Sequence, residues 1–301
     1  MTKTIEELPR EMCMGSTDTN AAIGTNRHKG PNELYCAKTG LPRKPSSGME
    51  ISLHTEDTLR KLTQIKLAAA GINVHIKPGK TFYMHEDGVD FRTTPDGLAV
   101  ASTRHRRVLY TVELKNAFRA SREDYGEEWS GDVREDYFDQ CVQHCALTPG
   151  NPPACLLSVW FDPYQWPELF IVKANPQRWE ELKAAGKAFW HNHVVPRIPP
   201  DVDETAWCRR AQLRRQGWED KGREAEPAER QALVGIQKKT AAMKELEKEI
   251  DKLKNTIAAG ANGHERLEYM GKKVISFKAN KNGVRSIKLS YNNFSDMGQT
   301  Q

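Results

Sequence analysis

The first third of the chain changes from a helical to an extended pattern of apolar residues. Leu59, Leu62 and Ile65 recur at three-residue steps, which predicts a helix over residues 55–71. Beyond this helix, β-branched and aromatic residues predominate in short runs that are typical of strands. These runs cover residues 72–76, 81–84 and 89–91.

The central stretch from Thr94 to Lys115, TPDGLAVASTRHRRVLYTVELK, predicts a β-hairpin. Asp96 lies in its first turn, and the apolar run 108–112 leads into Glu113 at the far end. Side chains alternate between the two faces of a strand, so Glu113 and Lys115 share a face and Leu114 points to the other. The hairpin therefore brings two carboxylates and an ammonium to one point.

The second half of the chain predicts further elements of both kinds. Near the N-terminus, Ser16 or Thr17 is expected to cap a short helix, and Pro31 is expected to open a second one. A helix over 136–147 carries Gln140, and the later elements are strands at 154–161 and 169–173 and a helix at 175–193. Prolines at positions 196, 199 and 200 then mark the predicted boundary between a core, 1–196, and an appendage, 197–301.

The appendage combines a long amphipathic helix with a basic β-hairpin. Apolar residues step by three and four through residues 228–259, which fits a helical hairpin arm, a short coiled coil or a helix packed on the core. An Asn-Gly turn at 282–283 joins two strands that carry lysine and arginine without acids. This hairpin fits a ribbon that faces phosphates, and equally an edge strand that lysine protects.

Composition limits the cellular context and the class of site. The chain has 301 residues, a net charge of +5 and six cysteines without a C-x-x-C pair, which indicates reduced thiols in a cytoplasm and disfavours zinc. Mean hydropathy is -0.71. No signal peptide or membrane-length apolar run is evident, so we expect no membrane partner.

The central hairpin suits metal-assisted hydrolysis of a phosphodiester. Asp96, Glu113 and the backbone carbonyl of Leu114 supply the hard oxygen ligands that Mg²⁺ prefers. Lys115 would orient the attacking water or offset charge in the transition state. Glu56 and Gln140 are further candidates for this site, although a carboxylate in the first turn of a helix also stabilises the helix itself.

The order of these motifs resembles the YqaJ-type viral recombinases, relatives of the lambda-type phage exonucleases in the PD-(D/E)XK nuclease superfamily. The segments that carry the resemblance are GSTDTNAAIG, GPNELYCAKTG, TPDG, ELK and YFDQ with its following Leu147-Thr148. The resemblance implies an α/β (α+β) fold with a mixed central sheet flanked by helices, followed by a C-terminal helical arm and β-hairpin.

The resemblance also implies a function and its residues. A Mg²⁺-dependent enzyme, in which Mn²⁺ can substitute, would degrade linear double-stranded DNA from 5′ ends and leave 3′ overhangs for recombination. Asp96, Glu113, Lys115 and Gln140 match the catalytic positions, and Glu56 matches the helix glutamate near the metal. Arg10, Ser16 and Thr94 would bind the terminal 5′-phosphate.

The family context further implies partners and a location. The expected assembly is a homo-oligomer, a trimeric ring around double-stranded DNA ends, that works with a single-strand annealing protein in the cytoplasm of a phage-infected host. A DNA endonuclease on the same core and a non-catalytic DNA-binding protein are the alternative functions.

Three departures from the family pattern leave choices open. The family context around Glu56 is replaced by LHTED, so Glu50 or Asp57 competes for the role of helix carboxylate. The interval after Asp96 carries extra basic residues that would track a DNA backbone or cap an exposed hairpin. These are Arg104, His105, Arg106 and Arg107. Cys141, Cys145 and Cys155 lie in or near the core rather than flanking it, so no iron–sulfur cluster is expected.

Overall fold

The computed structural model describes residues 8–41, 47–102, 107–118, 120–215, 224–260, 266–269, 272–279 and 285–289. It divides the chain into two compact units, Met1–Trp218 and Glu219–Gln301. Among the described residues, no helix is both long and apolar enough to cross a membrane.

The first unit contains six α-helices and seven strands among its described residues. The helices are α1 (Ser16–Ile23), α2 (Pro31–Lys38), α3 (Ser47–Ala69), α4 (Glu135–Leu147), α5 (Pro176–Phe189), which continues into a π-helical turn (Trp190–Val194), and α6 (Ala206–Arg215). The strands are β1 (Ile76–Pro78), β2 (Phe82–Glu86), β3 (Val89–Thr93), β4 (Gly97–Ser102), β5 (Arg107–Asn116), β6 (Ala154–Trp160) and β7 (Glu168–Lys173).

A five-stranded mixed sheet in the order β1-β4-β5-β6-β7 forms the centre of this unit. Strands β4 and β5 are antiparallel, as the hairpin pattern predicts, and Gly97 pairs with Val112. Strands β5 and β6 are parallel, with Glu113 opposite Leu157. Strands β2 and β3 form a separate two-stranded hairpin.

Helices cover both faces of the sheet. On one face, Leu59 and Leu67 of α3 pack with Val112 and Leu114 of β5. On the other face, Cys141 and Cys145 of α4 lie in a cluster with apolar residues of β6 and β7. The alternation predicted for β5 is therefore confirmed, because Leu114 faces α3 while its neighbour Glu113 faces α4. The predicted α/β fold, with a mixed central sheet between helices, is also confirmed.

The N-terminal segment joins the core alongside β3. Met14 forms a parallel bridge with Phe91, and its carbonyl accepts a hydrogen bond from Arg92 N at 2.9 Å. Helix α1 then packs on α4 and α5. Because of this bridge, residues just after Met14 and residues just after Phe91 lie at the same end of the fold.

Three boundaries differ from those predicted. Helix α3 begins at Ser47 rather than near residue 55, and the first sheet strand begins at Ile76 rather than at residue 72. The first unit extends to Trp218 rather than to residue 196. The reason is that α6 packs against α2, where Arg214 forms an ion pair with Glu33 and Gln212 donates a hydrogen bond to Asn32.

The second unit contains one long helix and a small sheet. Helix α7 spans Pro227–Gly260, and the strands are β8 (Arg266–Tyr269), β9 (Lys272–Ala279) and β10 (Arg285–Leu289). Strands β9 and β10 are antiparallel, as predicted, while the Asn-Gly turn that joins them lies outside the described residues. Strand β8 adds an unpredicted third strand beside β9.

Candidate active site

Asp96 lies in the turn that leads into β4, and it reaches across to the end of β5. Its Oδ2 accepts a hydrogen bond from the backbone N–H of Leu114 at 2.8 Å. A close approach supports this turn, since a Cβ atom at Gly79 would lie 1.6 Å from the Pro95 carbonyl oxygen. Residue 79 must therefore be glycine for the turn to keep its place.

Glu113 is buried at the centre of the site and its carboxylate is held on both oxygens. Its side chain is 1% exposed. Oε1 accepts a hydrogen bond from Gln140 Nε2 at 2.6 Å and forms an ion pair with Lys115, while Oε2 contacts His144 Nε2 at 2.8 Å. The predicted convergence of Asp96, Glu113, Lys115 and Gln140 is therefore present in the structure.

The electrostatics of these groups differ because their charged partners differ. Burial alone would raise the pKa of Glu113, but the Lys115 ammonium and His144 lower that pKa to about 2. Burial opposes the charge on Lys115, yet Glu113 and Asp96 raise its pKa above the ordinary value. The pKa of Asp96 is raised well above its ordinary value by burial and by the charge of Glu113. Lys115 is thus a fixed cation, and Asp96 is a carboxyl group that lacks sufficient positive charge nearby.

Glu56 lies next to this centre but is engaged by an arginine. Arg60, one turn further along α3, forms ion pairs with Glu56 and Asp57 and donates a hydrogen bond to the Asp96 carbonyl at 3.1 Å. Burial and the charges of Asp57 and Glu113 raise the pKa of Glu56, although Arg60 opposes this. Of the two alternatives, Asp57 is 81% exposed and Glu50 is also exposed. The assignment of a helix carboxylate to the metal stays a prediction.

The donor chemistry of the centre fits a hard divalent cation. Asp96, Glu113 and the Leu114 carbonyl offer oxygen donors, and the Oδ1 atom of Asn116, at the end of β5, is buried without a hydrogen-bond partner. No group of three or more His, Cys, Asp or Glu side chains is arranged to hold a metal in the part of the chain that the structure describes. Asp96, Glu113 and the backbone carbonyl of Leu114 are therefore the oxygen donors that fit such a cation.

The residues predicted to bind a 5′-phosphate lie near the bridge between Met14 and Phe91. Ser16 is buried at the first position of α1, and Thr94 is exposed just after β3, where its hydroxyl contacts Thr81 Oγ1 at 3.0 Å. Arg10 has an exposed side chain, and its carbonyl accepts a hydrogen bond from Lys38. The chain thus brings Ser16 and Thr94 to one end of the fold.

The basic interval after Asp96 falls largely outside the described residues. This holds for Arg104, His105 and Arg106, while Arg107 is an exposed residue at the start of β5. A role for these residues in DNA binding stays a prediction.

Three residues at the site were not identified from the sequence. Arg60 is one, and its position four residues after Glu56 was the available signal. The others are His144 and Thr93, which are buried and contact each other at 2.5 Å between Nδ1 and Oγ1. A neutral imidazole satisfies both contacts if Nε2–H donates to Glu113 and Nδ1 accepts from the Thr93 hydroxyl. His144 follows Gln140 by one helical turn, which was its only signal in the sequence.

The cysteines near the site are buried thiols. All six cysteines of the chain are free and buried. Burial raises the pKa of Cys141 and Cys155, and it raises that of Cys145 to about 12. These thiols are accordingly packing residues of the core rather than nucleophiles.

A family model matches the part of the chain that forms this site. Residues 7–150 match the family model of the YqaJ-like viral recombinase domain. No curated protein matches the chain significantly.

Three solved structures share part of the fold at low sequence identity. The alkaline exonuclease LHK-Exo from Laribacter hongkongensis is 14% identical, covers 63% of this chain and 91% of its own, and has a TM-score of 0.46. The structure of LHK-Exo in complex with dAMP is 16% identical, covers 62% of this chain and 91% of its own, and has a TM-score of 0.45. A candidate exonuclease from Eubacterium rectale is 11% identical, covers 74% of this chain and 96% of its own, and has a TM-score of 0.40.

These structural likenesses are too distant to transfer a function. The family match spans α1 to α4 and includes Gln140, Lys115 and His144, whose side chains contact the Glu113 carboxylate. Residues 7–150 of the chain therefore match the YqaJ-like viral recombinase domain, which is the family that this part of the chain resembles.

Proposed function

We propose that the protein is a Mg²⁺-dependent exonuclease that degrades linear double-stranded DNA from 5′ to 3′. The products would be 3′ single-stranded overhangs for phage-type recombination in the host cytoplasm. The observation that supports this proposal is the meeting of Asp96, Glu113 and Lys115 where β4 begins and β5 ends. Two carboxylates beside a fixed ammonium suit hydrolysis of a phosphodiester.

Asp96 and Glu113, with the carbonyl of Leu114, would hold the metal. When bound, Mg²⁺ polarises a phosphoryl oxygen and lowers the pKa of water. It would also supply the positive charge that Asp96 lacks, since burial and Glu113 raise the pKa of that carboxyl. Mn²⁺ favours the same oxygen donors and would substitute.

Lys115 acts as a donor and not as a base. Its pKa is raised by Glu113 and Asp96, so the side chain stays protonated at neutral pH. The ammonium also lies 5.2 Å from the ring centroid of Tyr137, which favours a cation at this place. Lys115 therefore orients water by donation and stabilises negative charge on the phosphate.

Gln140 and His144 keep Glu113 in one orientation. Each donates to a different oxygen of the carboxylate, at 2.6 Å and 2.8 Å. A carboxylate fixed on both oxygens presents the same lone pairs in every catalytic cycle. The role of Gln140 is thus to position Glu113.

Ser16, Thr94 and Arg10 would receive the terminal 5′-phosphate. The bridge between Met14 and Phe91 supports this proposal, because it brings Ser16 and Thr94 to one end of the fold. Partial positive charge at the N-terminus of α1, which begins at Ser16, favours an anion there. A trimeric ring and a single-strand annealing partner stay predictions of the family resemblance.

Digestion of end-labelled DNA tests the proposal. With Mg²⁺ present, 5′-labelled linear duplex should release label as mononucleotide early, 3′-labelled duplex should release it late, and a closed circle should persist. Cutting of the circle as fast as the linear duplex would favour the endonuclease alternative. Binding of linear duplex without any cleavage would favour the DNA-binding alternative.

The phosphate pocket is tested with the same substrate carrying either a 5′-phosphate or a 5′-hydroxyl. We expect the parent to prefer the phosphate by about tenfold and Ser16→Ala to lose most of this preference. Thr17→Ala is the matched control, since Thr17 is the next hydroxyl on α1 but is exposed. Equal rates on both ends for the parent would remove Ser16 and Thr94 from this role.

A further inference from the structure

Helix α7 presents an unusual amount of apolar side chain for its length. It has 34 residues, and none of them is buried. The five large apolar side chains along one stripe are between 47% and 64% exposed. They are Ile236, Met243, Leu246, Ile250 and Leu253. A helix that buries nothing is only marginally stable by itself, so this stripe needs a partner.

The spacing of the stripe indicates what that partner is. Apolar residues recur every 3.5 residues on average, which is the repeat of two helices that supercoil around each other. With Ile236 at heptad position a, the a and d positions up to residue 257 hold one lysine and otherwise apolar residues. In order they are Ile236, Lys239, Met243, Leu246, Ile250, Leu253 and Ile257.

The identity of these residues favours two parallel strands. Isoleucine occupies three of the a positions, and leucine occupies the d positions at 246 and 253. Isoleucine at a with leucine at d is the combination that favours two-stranded parallel coiled coils. A helix packed on a globular surface needs no such distinction between the two positions.

Charges beside the seam are complementary between two copies of the helix. Position g of the second heptad is Glu249, and position e of the next heptad is Lys254. In a parallel pair, a g residue faces the e residue five places later on the partner helix. Within one helix these two residues are not neighbours, and Lys254 instead pairs with Asp251 at 3.1 Å.

We propose that α7 is an interaction surface for a second copy of this chain, joined as a parallel, in-register coiled coil over residues 236–257. The contact is independent of the nuclease site, so its test measures association and not cleavage. The other occupants of the stripe, a different protein or the first unit of the same chain, are outcomes of that test.

Cysteine cross-linking of the full chain tests the register. In parallel helices the d residues of two copies meet, so Leu253→Cys should form a disulfide-linked dimer under mild oxidation in more than half of the chains. Lys248→Cys, at the outer f position, is the matched control and should give at most a tenth of that yield. The six native cysteines are buried and should contribute little.

Charge exchange tests whether the partner is the same helix. Glu249→Lys places two lysines opposite each other and should lower the cross-linking yield of Leu253→Cys severalfold. Lys254→Glu should do the same, and the double exchange should restore the yield. Glu245→Lys makes the same charge change on the outer face and should have little effect.

Three results would overturn the proposal. One is a Leu253→Cys yield no higher than that of Lys248→Cys. Another is cross-linking only in a mixture of Ile250→Cys and Leu253→Cys chains, which would mean antiparallel helices. The third is failure of the double exchange to restore the yield, which would mean that the stripe contacts something other than its own copy.

The proposed pairing also bears on the size of the assembly. A two-stranded contact predicts an even number of chains, whereas the ring implied by the family resemblance has three. Both contacts together would give six chains. Sedimentation of the full chain should therefore show two or six chains, and a stable trimer without a larger species would contradict the pairing of α7.

Discussion

At the scale of single residues, the centre of the site is a buried carboxylate with three polar contacts. Gln140, Lys115 and His144 each contact Glu113, and Thr93 in turn contacts His144. A buried charge is costly unless it is paired and hydrogen-bonded, so each contact stabilises the fold as well as the geometry. Removing an outer member of this network should loosen the carboxylate without removing it.

A comparison of two buried threonines separates these two effects. Thr93→Val removes the contact with His144, and Thr63→Val removes a similar contact between α3 and Ser158 at 2.7 Å. Each change should lower the free energy of unfolding by about 1 kcal/mol. We expect only Thr93→Val to slow single-turnover cleavage at saturating Mg²⁺, by about tenfold, because only it displaces Glu113.

Measurement of urea unfolding and of single-turnover rates on both variants checks this expectation. Equal loss of rate in the two variants would show that Thr93 matters for stability alone. A lower kcat with an unchanged KM in Thr93→Val would support a role in positioning Glu113.

Residues that share a strand or a helical turn could be predicted from the sequence, and residues joined only by the fold could not. The alternation of β5 predicted that Glu113 and Lys115 share a face, and this is confirmed. Thr93 and His144 lie 51 positions apart and meet only because β3 packs on α4. No local spacing relates such residues.

At the scale of elements, buried ion pairs attach the N-terminal helices to the core. Asp18 on α1 pairs with Lys38 on α2 and with Lys29, and Lys38 also donates to the carbonyls of Arg10 and Cys13. Burial alone would raise the pKa of Asp18, but Lys29 and Lys38 hold it well below its ordinary value. This cluster fixes the segment that carries the proposed phosphate pocket.

The Asp18 cluster predicts a specific dependence of stability on pH. A carboxyl group whose pKa is lowered by folding stabilises the protein at pH values above its unfolded pKa, which is 3.8 here. That contribution is lost progressively as the pH falls from this value towards the lower pKa of the folded state. Asp18→Asn should therefore lower the free energy of unfolding by about 3 kcal/mol at pH 7, since it breaks a buried pair. The difference from the parent should shrink below about pH 4.

Denaturant unfolding of parent and variant between pH 2 and pH 7 measures this difference. Asp124→Asn is the matched control. The side chain of Asp124 is 31% exposed and that of its partner Arg27 is 56% exposed, so this ion pair should contribute at most about 1 kcal/mol to the free energy of unfolding. A difference for Asp18→Asn that stays constant down to pH 2 would contradict the assignment.

The type of most elements followed from the sequence, while some of their limits did not. The predicted helix over 136–147 and the strands near 154–161 and 169–173 are present as α4, β6 and β7. Helix α3 extends further towards the N-terminus than its apolar periodicity, since residues 50–53 are exposed and carry no such signal. The glycine required at position 79 was also missed, because its close contact with Pro95 arises only in the fold.

At the scale of the whole molecule, the chain has one unit that carries the proposed nuclease site and a second unit that contains α7. The sequence indicated two parts but placed the boundary at a run of prolines. The structure assigns residues 197–218 to the first unit, because α6 pairs with α2 through contacts distant in sequence. The apolar stripe of α7 was visible in the sequence as a periodicity, and the coiled coil proposed above is one of the three interpretations of that pattern.

Asp96, Glu113 and Lys115 are proposed to form the centre of the nuclease site. The rate at which Lys115→Ala digests linear duplex DNA with Mg²⁺ present tests this role. It is measured beside the parent and a Lys173→Ala control, an exposed lysine at the opposite end of the same sheet. Because Lys115 is the fixed cation of the site, we predict a loss of at least about 100-fold for Lys115→Ala, with folding and DNA binding retained, and little change for the control. Digestion by Lys115→Ala at the rate of the parent would show that Lys115 has no part in the reaction.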